Sequence, residues 1–170
     1  RINLIDFGTN IANNNPIAVN WGNLGNMLQP LELYLFNENG IHHAFTVNAE
    51  NNTITRFDFN NGINNIPDAV NLGNIGALNY PTGLHVIKDQ SNYKMYITNG
   101  YKFQNPVNSS ISRLDFGSSL LNTPIGTNFG NPNNAMNGPR DILFVSECSG
   151  LKAYTTNTNG TLTKLTFNDH

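Results

Sequence analysis

Apolar and polar residues alternate along short segments of this chain, with a period of two residues. In residues 54–59 (ITRFDF), the first, third and fifth residues fall on one face of an extended chain and the other three on the opposite face. Such segments are rich in Val, Ile, Thr, Tyr and Phe, and clusters of Asn, Gly, Pro and Ser separate them, as at 37–40 (NENG). No segment carries a 3.6-residue apolar period long enough for a helix, so the pattern predicts an all-β chain.

The strand-like segments recur in a fixed order. The block INLIDFG at residue 2 returns as ITRFDFN at 54, ISRLDFG at 111 and LTKLTFN at 162, in steps of 52, 57 and 51 residues. We call this block C, and three other blocks recur beside it. Block A begins at Pro30, Pro81 and Pro139; block B is HAFTVN (43–48), KMYITN (94–99) and KAYTTN (152–157); block D begins at Pro16, Pro67 and Pro124.

Four strands within a period near 50 residues are typical of a β-propeller blade. The chain runs C-D, then A-B-C-D twice, then A-B-C, which predicts about three blades of four antiparallel strands in a single partial domain, 1–170. Propellers generally close with four to eight blades. We therefore expect this chain to be part of a larger propeller.

The A blocks contain almost uninterrupted apolar runs. Residues 33–36 (LYLF), 84–87 (LHVI) and 142–145 (ILFV) are such runs. Strands of this kind are usually covered on both faces. We expect the A blocks to be the inner strands of the blades, each packed between two neighbouring blades.

Composition removes several functional classes. The 170 residues carry 9 Lys and Arg against 11 Asp and Glu, and this net charge of −2 offers no basic surface for nucleic acid. No apolar run is long enough for a membrane-spanning helix. The single cysteine, Cys148, excludes an internal disulfide.

The repeat resembles a known group of proteins. The sequence RLDFG at 113–117, followed by NTPIGTNFGN at 122–131, PRDI at 139–142 and YTTN at 154–157, is similar to propeller repeats of large secreted surface proteins of gliding Bacteroidota. The resemblance implies an extracellular, cell-surface protein exported by type 9 secretion and acting in adhesion or gliding motility. The layout also resembles six-bladed NHL-type propellers, which implies six blades in the parent protein.

Two regions are candidates for ligand binding. The ends of inner strands line the axial channel where propellers usually bind ligands, and Tyr34 and His85 occupy equivalent channel positions. The long loop between blocks B and C, residues 99–110, carries Tyr101 and Phe103. Aromatic side chains on a loop of a rigid scaffold are typical of a contact surface.

Two carboxylates support an alternative interpretation. Glu32 and Asp141 occupy equivalent positions on two A blocks, where the third has Gly83. Carboxylate oxygens are the ligands that calcium prefers. Lactonase-like six-bladed propellers hold a metal in the channel, so that resemblance would imply a hydrolytic enzyme with Ca²⁺ bound by Glu32 and Asp141.

No motif identifies a catalytic residue. The four histidines lack metal-binding spacing, and Cys148 has no base indicated nearby. An Arg-x-Asp pair recurs at Arg56 and Arg113, and its repetition indicates a structural ion pair in each blade rather than a catalytic carboxylate.

We therefore expect a non-catalytic recognition or scaffold module without a cofactor. Its expected partners are a protein or glycan ligand at the cell surface and the remaining blades of the parent protein. The metal-dependent enzyme is one alternative, and a purely structural spacer in a surface filament is another.

Overall fold

The computed structural model describes residues 1–100, 108–148 and 150–167. Thirteen β-strands make up most of this part of the chain, with single 3₁₀ turns at Leu24–Asn26 and Pro132–Asn134. No α-helix occurs among the described residues. The strands are β1 Ile2–Asp6, β2 Ile17–Gly22, β3 Pro30–Glu38, β4 Ile41–Asn48, β5 Thr53–Phe59, β6 Asp68–Gly73, β7 Pro81–Asp89, β8 Asn92–Asn99, β9 Ser110–Gly117, β10 Ile125–Asn128, β11 Leu143–Glu147, β12 Gly150–Thr156 and β13 Leu162–Thr166.

The strands form four antiparallel sheets in chain order. A two-stranded sheet (β1-β2) is followed by a first four-stranded sheet (β3-β4-β5-β6), a second four-stranded sheet (β7-β8-β9-β10) and a three-stranded sheet (β11-β12-β13). The predicted all-β class and the antiparallel order of blocks A, B, C and D are confirmed. None of these sheets closes on itself within the described residues.

Short turns join the strands where the sequence supplies residues with positive φ. Between β3 and β4, Asn39 and Gly40 have φ of 51° and 92°, and Glu38 pairs directly with Ile41. An Asn-Gly pair with both φ values positive is the preferred two-residue hairpin turn. This turn fixes the register of β3 against β4.

Asparagine side chains hold each repeat together at recurring positions. In the D blocks, Asn71 Oδ1 accepts a hydrogen bond from the Gly73 N–H at 2.8 Å. After it, Asn74 bonds to both the N–H and the C=O of Leu78, at 2.7 and 3.1 Å. At the end of block B, Asn99 Nδ2 donates to hydroxyl oxygens of block C. Equivalent bonds recur in the other repeats at Asn20, Asn128, Asn23, Asn131, Asn48 and Asn157.

The sheets pack face to face in sequence order, and the hydrophobic core lies between them. Phe45, Val47 and Ile54 of the first four-stranded sheet pack against Leu84 and Val86 of the second. A second cluster joins the second four-stranded sheet to the three-stranded sheet, and a third joins β1-β2 to the first four-stranded sheet. The A-block strand β7 therefore contacts both β3 and β11.

The expectation that every A block is covered on both faces holds for β7 and is wrong for β3. Leu84 and Val86 of β7 are 0% and 2% exposed, whereas Leu33 and Leu35 of β3 are 60% and 47% exposed. Leu143 of β11 is also exposed. The physical reason is that the β1-β2 sheet packs on Ala44, Phe57 and Phe59 of β4 and β5 and leaves the leucines of β3 uncovered, whereas β7 lies between β3 and β11.

Candidate functional site

The A-block strands, which the sequence predicted to be inner strands, bring four of the residues singled out from the sequence into one place. Glu32 and Tyr34 lie on β3, His85 lies on β7, and Asp141 lies two residues before β11. Because β3, β7 and the segment before β11 are neighbours, these side chains meet although more than 100 residues separate Glu32 from Asp141. We call Glu32, Tyr34, Gly83, His85 and Asp141 the inner-strand cluster.

Tyr34 and His85 form the aromatic part of the cluster. Their ring centroids lie 4.9 Å apart, and the Tyr34 hydroxyl is 3.4 Å from His85 Nε2. On its other side, the His85 ring lies 5.6 Å from that of Phe144. Both Tyr34 and His85 are half-buried, so part of each residue remains accessible to solvent.

Gly83 explains how the two carboxylates come together. A Cβ atom at this position would lie 2.6 Å from Asp141 Cα and 3.1 Å from Glu32 Oε2. The first distance is shorter than real side chains tolerate, and the atom concerned belongs to the backbone. Glycine therefore permits the close approach of neighbouring A-block segments at the point where Glu32 and Asp141 meet.

Burial and a neighbouring charge change the acidity of Glu32. Its Oε2 accepts a hydrogen bond from the Leu84 N–H at 2.6 Å. Burial raises the pKa of Glu32 to about 7; the Leu84 bond opposes this rise, and the Asp141 carboxylate adds to it by repulsion and hydrogen bonding. Near neutral pH, Glu32 is therefore protonated more readily than an exposed glutamate, and its hydrogen bond with Asp141 favours the protonated form.

The two aromatic members favour their neutral forms. Burial lowers the pKa of His85, although the charge of Asp141 opposes this effect. Burial and the charge of Glu32 raise the pKa of the Tyr34 hydroxyl. The cluster therefore offers a neutral imidazole and a phenol beside a readily protonated carboxyl group, which together can donate and accept hydrogen bonds.

The donor set falls short of a calcium centre. Calcium takes six to eight oxygen ligands, and the cluster offers two carboxylates, one of which already accepts a backbone N–H. Across residues 1–100, 108–148 and 150–167, no group of three or more His, Cys, Asp or Glu side chains is placed to hold a metal ion. We therefore derive no metal-dependent step from this site.

Two predicted contact residues cannot be placed. Tyr101 and Phe103 lie outside the described residues, so the interpretation of the 99–110 loop as a contact surface stays a prediction.

A buried charged network was not predicted from the sequence. His43, which is 1% exposed, lies between Asp58 (2.7 Å from Nδ1) and Glu38 (3.5 Å from Nε2). Arg56 pairs with Asp58 at 2.9 Å and donates to the Leu120 C=O at 2.8 Å, which ties the first four-stranded sheet to the second.

The recurring Arg-x-Asp pair was the one sequence signal for this network. The ion pair predicted from it is confirmed at Arg56 with Asp58 and at Arg113 with Asp115. Nothing in the sequence distinguished His43 from the exposed-face histidine beside it. The register of β4 against β5 places His43 opposite Asp58, and this pairing is set by the turn between the two strands.

No helix in the described ranges has the length and apolar character needed to cross a bilayer.

Comparisons with known proteins do not assign the chain to a family. A comparison with models of protein families and one with curated proteins both find no match.

Proposed function

We propose that the sheets are blades of a β-propeller, with β3, β7 and β11 as the inner strands. Three features support this: the strands of each sheet follow one another in chain order, successive sheets pack face to face, and the A-block strands contact one another. Propeller blades have this arrangement around a central channel.

We further propose that the protein is a non-catalytic recognition module whose ligand contacts the inner-strand cluster. The observation that carries this proposal is the meeting of Tyr34, His85 and the Glu32–Asp141 pair at the junction of three sheets. Ligand sites typically combine aromatic walls with a few convergent polar groups. Here the rings would stack on the ligand, and the protonated carboxyl group of Glu32 would donate a hydrogen bond to one of its oxygen atoms.

The setting that we propose is the cell surface. The resemblance of the repeat to secreted surface proteins of gliding Bacteroidota supports an extracellular adhesin, and a net charge of −2 suits binding by stacking and hydrogen bonds rather than by charge. The ligand in this setting is a protein or glycan of the cell surface.

A glycan array and an immobilised extract of surface proteins test the recognition function. The wild-type protein is compared with the double variant Tyr34→Ala, His85→Ala and with Phe7→Ala, which removes an exposed aromatic ring far from the cluster in sequence. We expect the wild type and Phe7→Ala to bind the same ligand, and we expect the double variant to lose this binding. Binding that survives in the double variant would contradict the proposed site, and absence of any binding would favour the structural spacer.

Calcium provides the test for the alternative that the resemblance to lactonase-like propellers implied, a metal-dependent enzyme with Glu32 and Asp141 as ligands. A ligand that binds only the folded state raises its melting temperature. A rise in Tm with millimolar calcium that Glu32→Gln abolishes would support a metal site at the cluster. We expect the Tm to be the same with and without calcium.

A further inference from the structure

Each carboxyl group of the inner-strand cluster has one oxygen fixed by the backbone. Glu32 Oε2 accepts a hydrogen bond from the Leu84 N–H at 2.6 Å, and Asp141 Oδ1 accepts one from the Ile142 N–H at 2.7 Å. An oxygen that already accepts an N–H is a poor place for a proton, because the two hydrogens repel each other. The proton of a protonated Glu32 therefore belongs on Oε1, and Oδ2 of Asp141 remains an acceptor.

The Tyr34 hydroxyl also has capacity for a further hydrogen bond. It lies 3.4 Å from both His85 Nε2 and the Val86 C=O. An O–H···O bond is normally about 2.7–2.8 Å long, so both contacts are long. A ligand oxygen at the normal distance would be a better partner for this hydroxyl, which belongs to a half-buried residue.

This combination of groups matches the chemistry of a neutral sugar. A hydroxyl group donates and accepts hydrogen bonds at the same time. One sugar hydroxyl can therefore accept from the protonated carboxyl group of Glu32 and donate to Asp141, while the apolar face of the sugar ring lies against the Tyr34 ring. A ligand that carries a carboxylate would instead be repelled by the charge of Asp141.

We propose that the inner-strand cluster binds a neutral sugar only while Glu32 carries its proton, and that it releases the sugar as the pH rises above neutrality. This assignment deepens the recognition function proposed above and rests on it. Two carboxyl groups that meet favour a proton on one of them, because two negative charges so close repel each other. The pKa of Glu32, raised to about 7 by burial and further by Asp141, places the loss of this proton near neutral pH.

The other titratable and charged groups near this proton do not account for a change between about pH 6.5 and 8.5. Burial raises the pKa of Tyr34 and lowers that of His85, so both stay uncharged over this range. Arg1, with its α-amino group, and Arg140 are exposed, and the variant described below separates their effect. The remaining charge is that of Asp141, which favours the proton.

Isothermal titration calorimetry with neutral trisaccharides tests the proposal. Maltotriose, cellotriose, mannotriose and chitotriose are the probes, and trigalacturonate, with a carboxylate on each ring, is the charge control. Binding is measured at about pH 6.5 and about pH 8.5 for the wild type, Glu32→Gln and the double variant Tyr34→Ala, His85→Ala. Asp89→Asn, at an exposed carboxylate paired with Lys94, is the matched control. Circular dichroism at both pH values establishes that each protein is folded.

We expect the wild type to bind at least one neutral trisaccharide about tenfold or more tightly at the lower pH, because the protonated fraction of Glu32 falls by more than this factor. Glu32→Gln should bind the same sugar equally at both pH values, since its amide keeps a donor throughout. The double variant should not bind, and Asp89→Asn should behave as the wild type. Trigalacturonate should bind more weakly than the neutral sugar.

Four results would overturn the proposal. They are no binding of a neutral trisaccharide at either pH, equal wild-type affinity at both pH values, a pH dependence that Glu32→Gln retains, and tighter binding of trigalacturonate than of the neutral sugars. The recognition function fails separately. A surface protein or glycan that the wild type binds and the double variant does not would leave that function standing in each of these cases, whereas binding retained by the double variant would contradict it.

Discussion

Replacing Glu32 by Gln should make the protein more stable at neutral pH. The pKa of Glu32 is about 7 in the folded protein and near 4.5 when the chain is unfolded. The folded state therefore binds more protons than the unfolded state between these two values, and the free energy of unfolding falls as the pH rises from 4.5 to 7. The favourable contribution is complete below pH 4.5 and is lost above pH 7.

The size of this stability difference follows from the pKa shift of Glu32 and from the exposure of Glu32 to solvent. A shift of this size corresponds to about 3 kcal/mol if no screening occurs. Glu32 is only partly buried, and solvent screening reduces the figure to about 1–2 kcal/mol. Glu32→Gln imitates the protonated carboxyl, so the variant should exceed the wild type by this amount at about pH 7.5 and match it at about pH 5.

Urea unfolding followed by circular dichroism at the two pH values measures the difference. Asp89→Asn is the control, because Asp89 is an exposed carboxylate paired with Lys94, and it should keep the wild-type pH dependence. If Glu32→Gln is equally or less stable than the wild type at about pH 7.5, the pKa of Glu32 is not raised in the folded protein.

Three further predictions test the packing of the sheets. Leu84→Ala should lower the free energy of unfolding by about 3 kcal/mol, because Leu84 is fully buried. Leu33→Ala, at the same repeat position, should lower it by less than about 0.5 kcal/mol. Equal losses for the two variants in urea titrations would refute the packing. Gly83→Ala should lower the free energy of unfolding by about 1–3 kcal/mol, because the added Cβ would overlap the Asp141 backbone. A melting temperature unchanged from the wild type would show that β7 and the segment at Asp141 lie further apart. Arg56→Ala leaves the Asp58 carboxylate buried without its arginine and should lower the free energy of unfolding by about 3–5 kcal/mol. Arg113→Ala, at a partly exposed ion pair, should lower it by less than about 1 kcal/mol. Similar losses for the two variants would mean that burial does not distinguish the pairs.

Most strands could be predicted because their information is local. Alternation of apolar and polar residues places a strand, and repetition at a nearly constant step gives its order in the sheet. The A block at 81–87 was predicted correctly down to its burial on both faces. The A block at 30–36 has the same apolar pattern, but one of its faces is exposed. Burial of that face depends on a neighbouring strand, and the sequence of one segment carries no information about its neighbours in space.

The candidate site was only partly predictable. Equivalent repeat positions suggested that Glu32, His85 and Asp141 face a common channel, and the structure brings them together. The role of Gly83 was not visible, because it depends on an approach to Asp141 that is set by the packing of two sheets. The buried position of His43 between two carboxylates likewise depends on contacts between strands.

A crystal structure of the chain tests the central claim most directly, through the rotation that relates one sheet to the next. The account predicts that successive sheets turn about one common axis by about 60°, as six blades require, with β3, β7 and β11 nearest that axis. Sheets stacked without rotation, or with β6 and β10 nearest the axis, would contradict it.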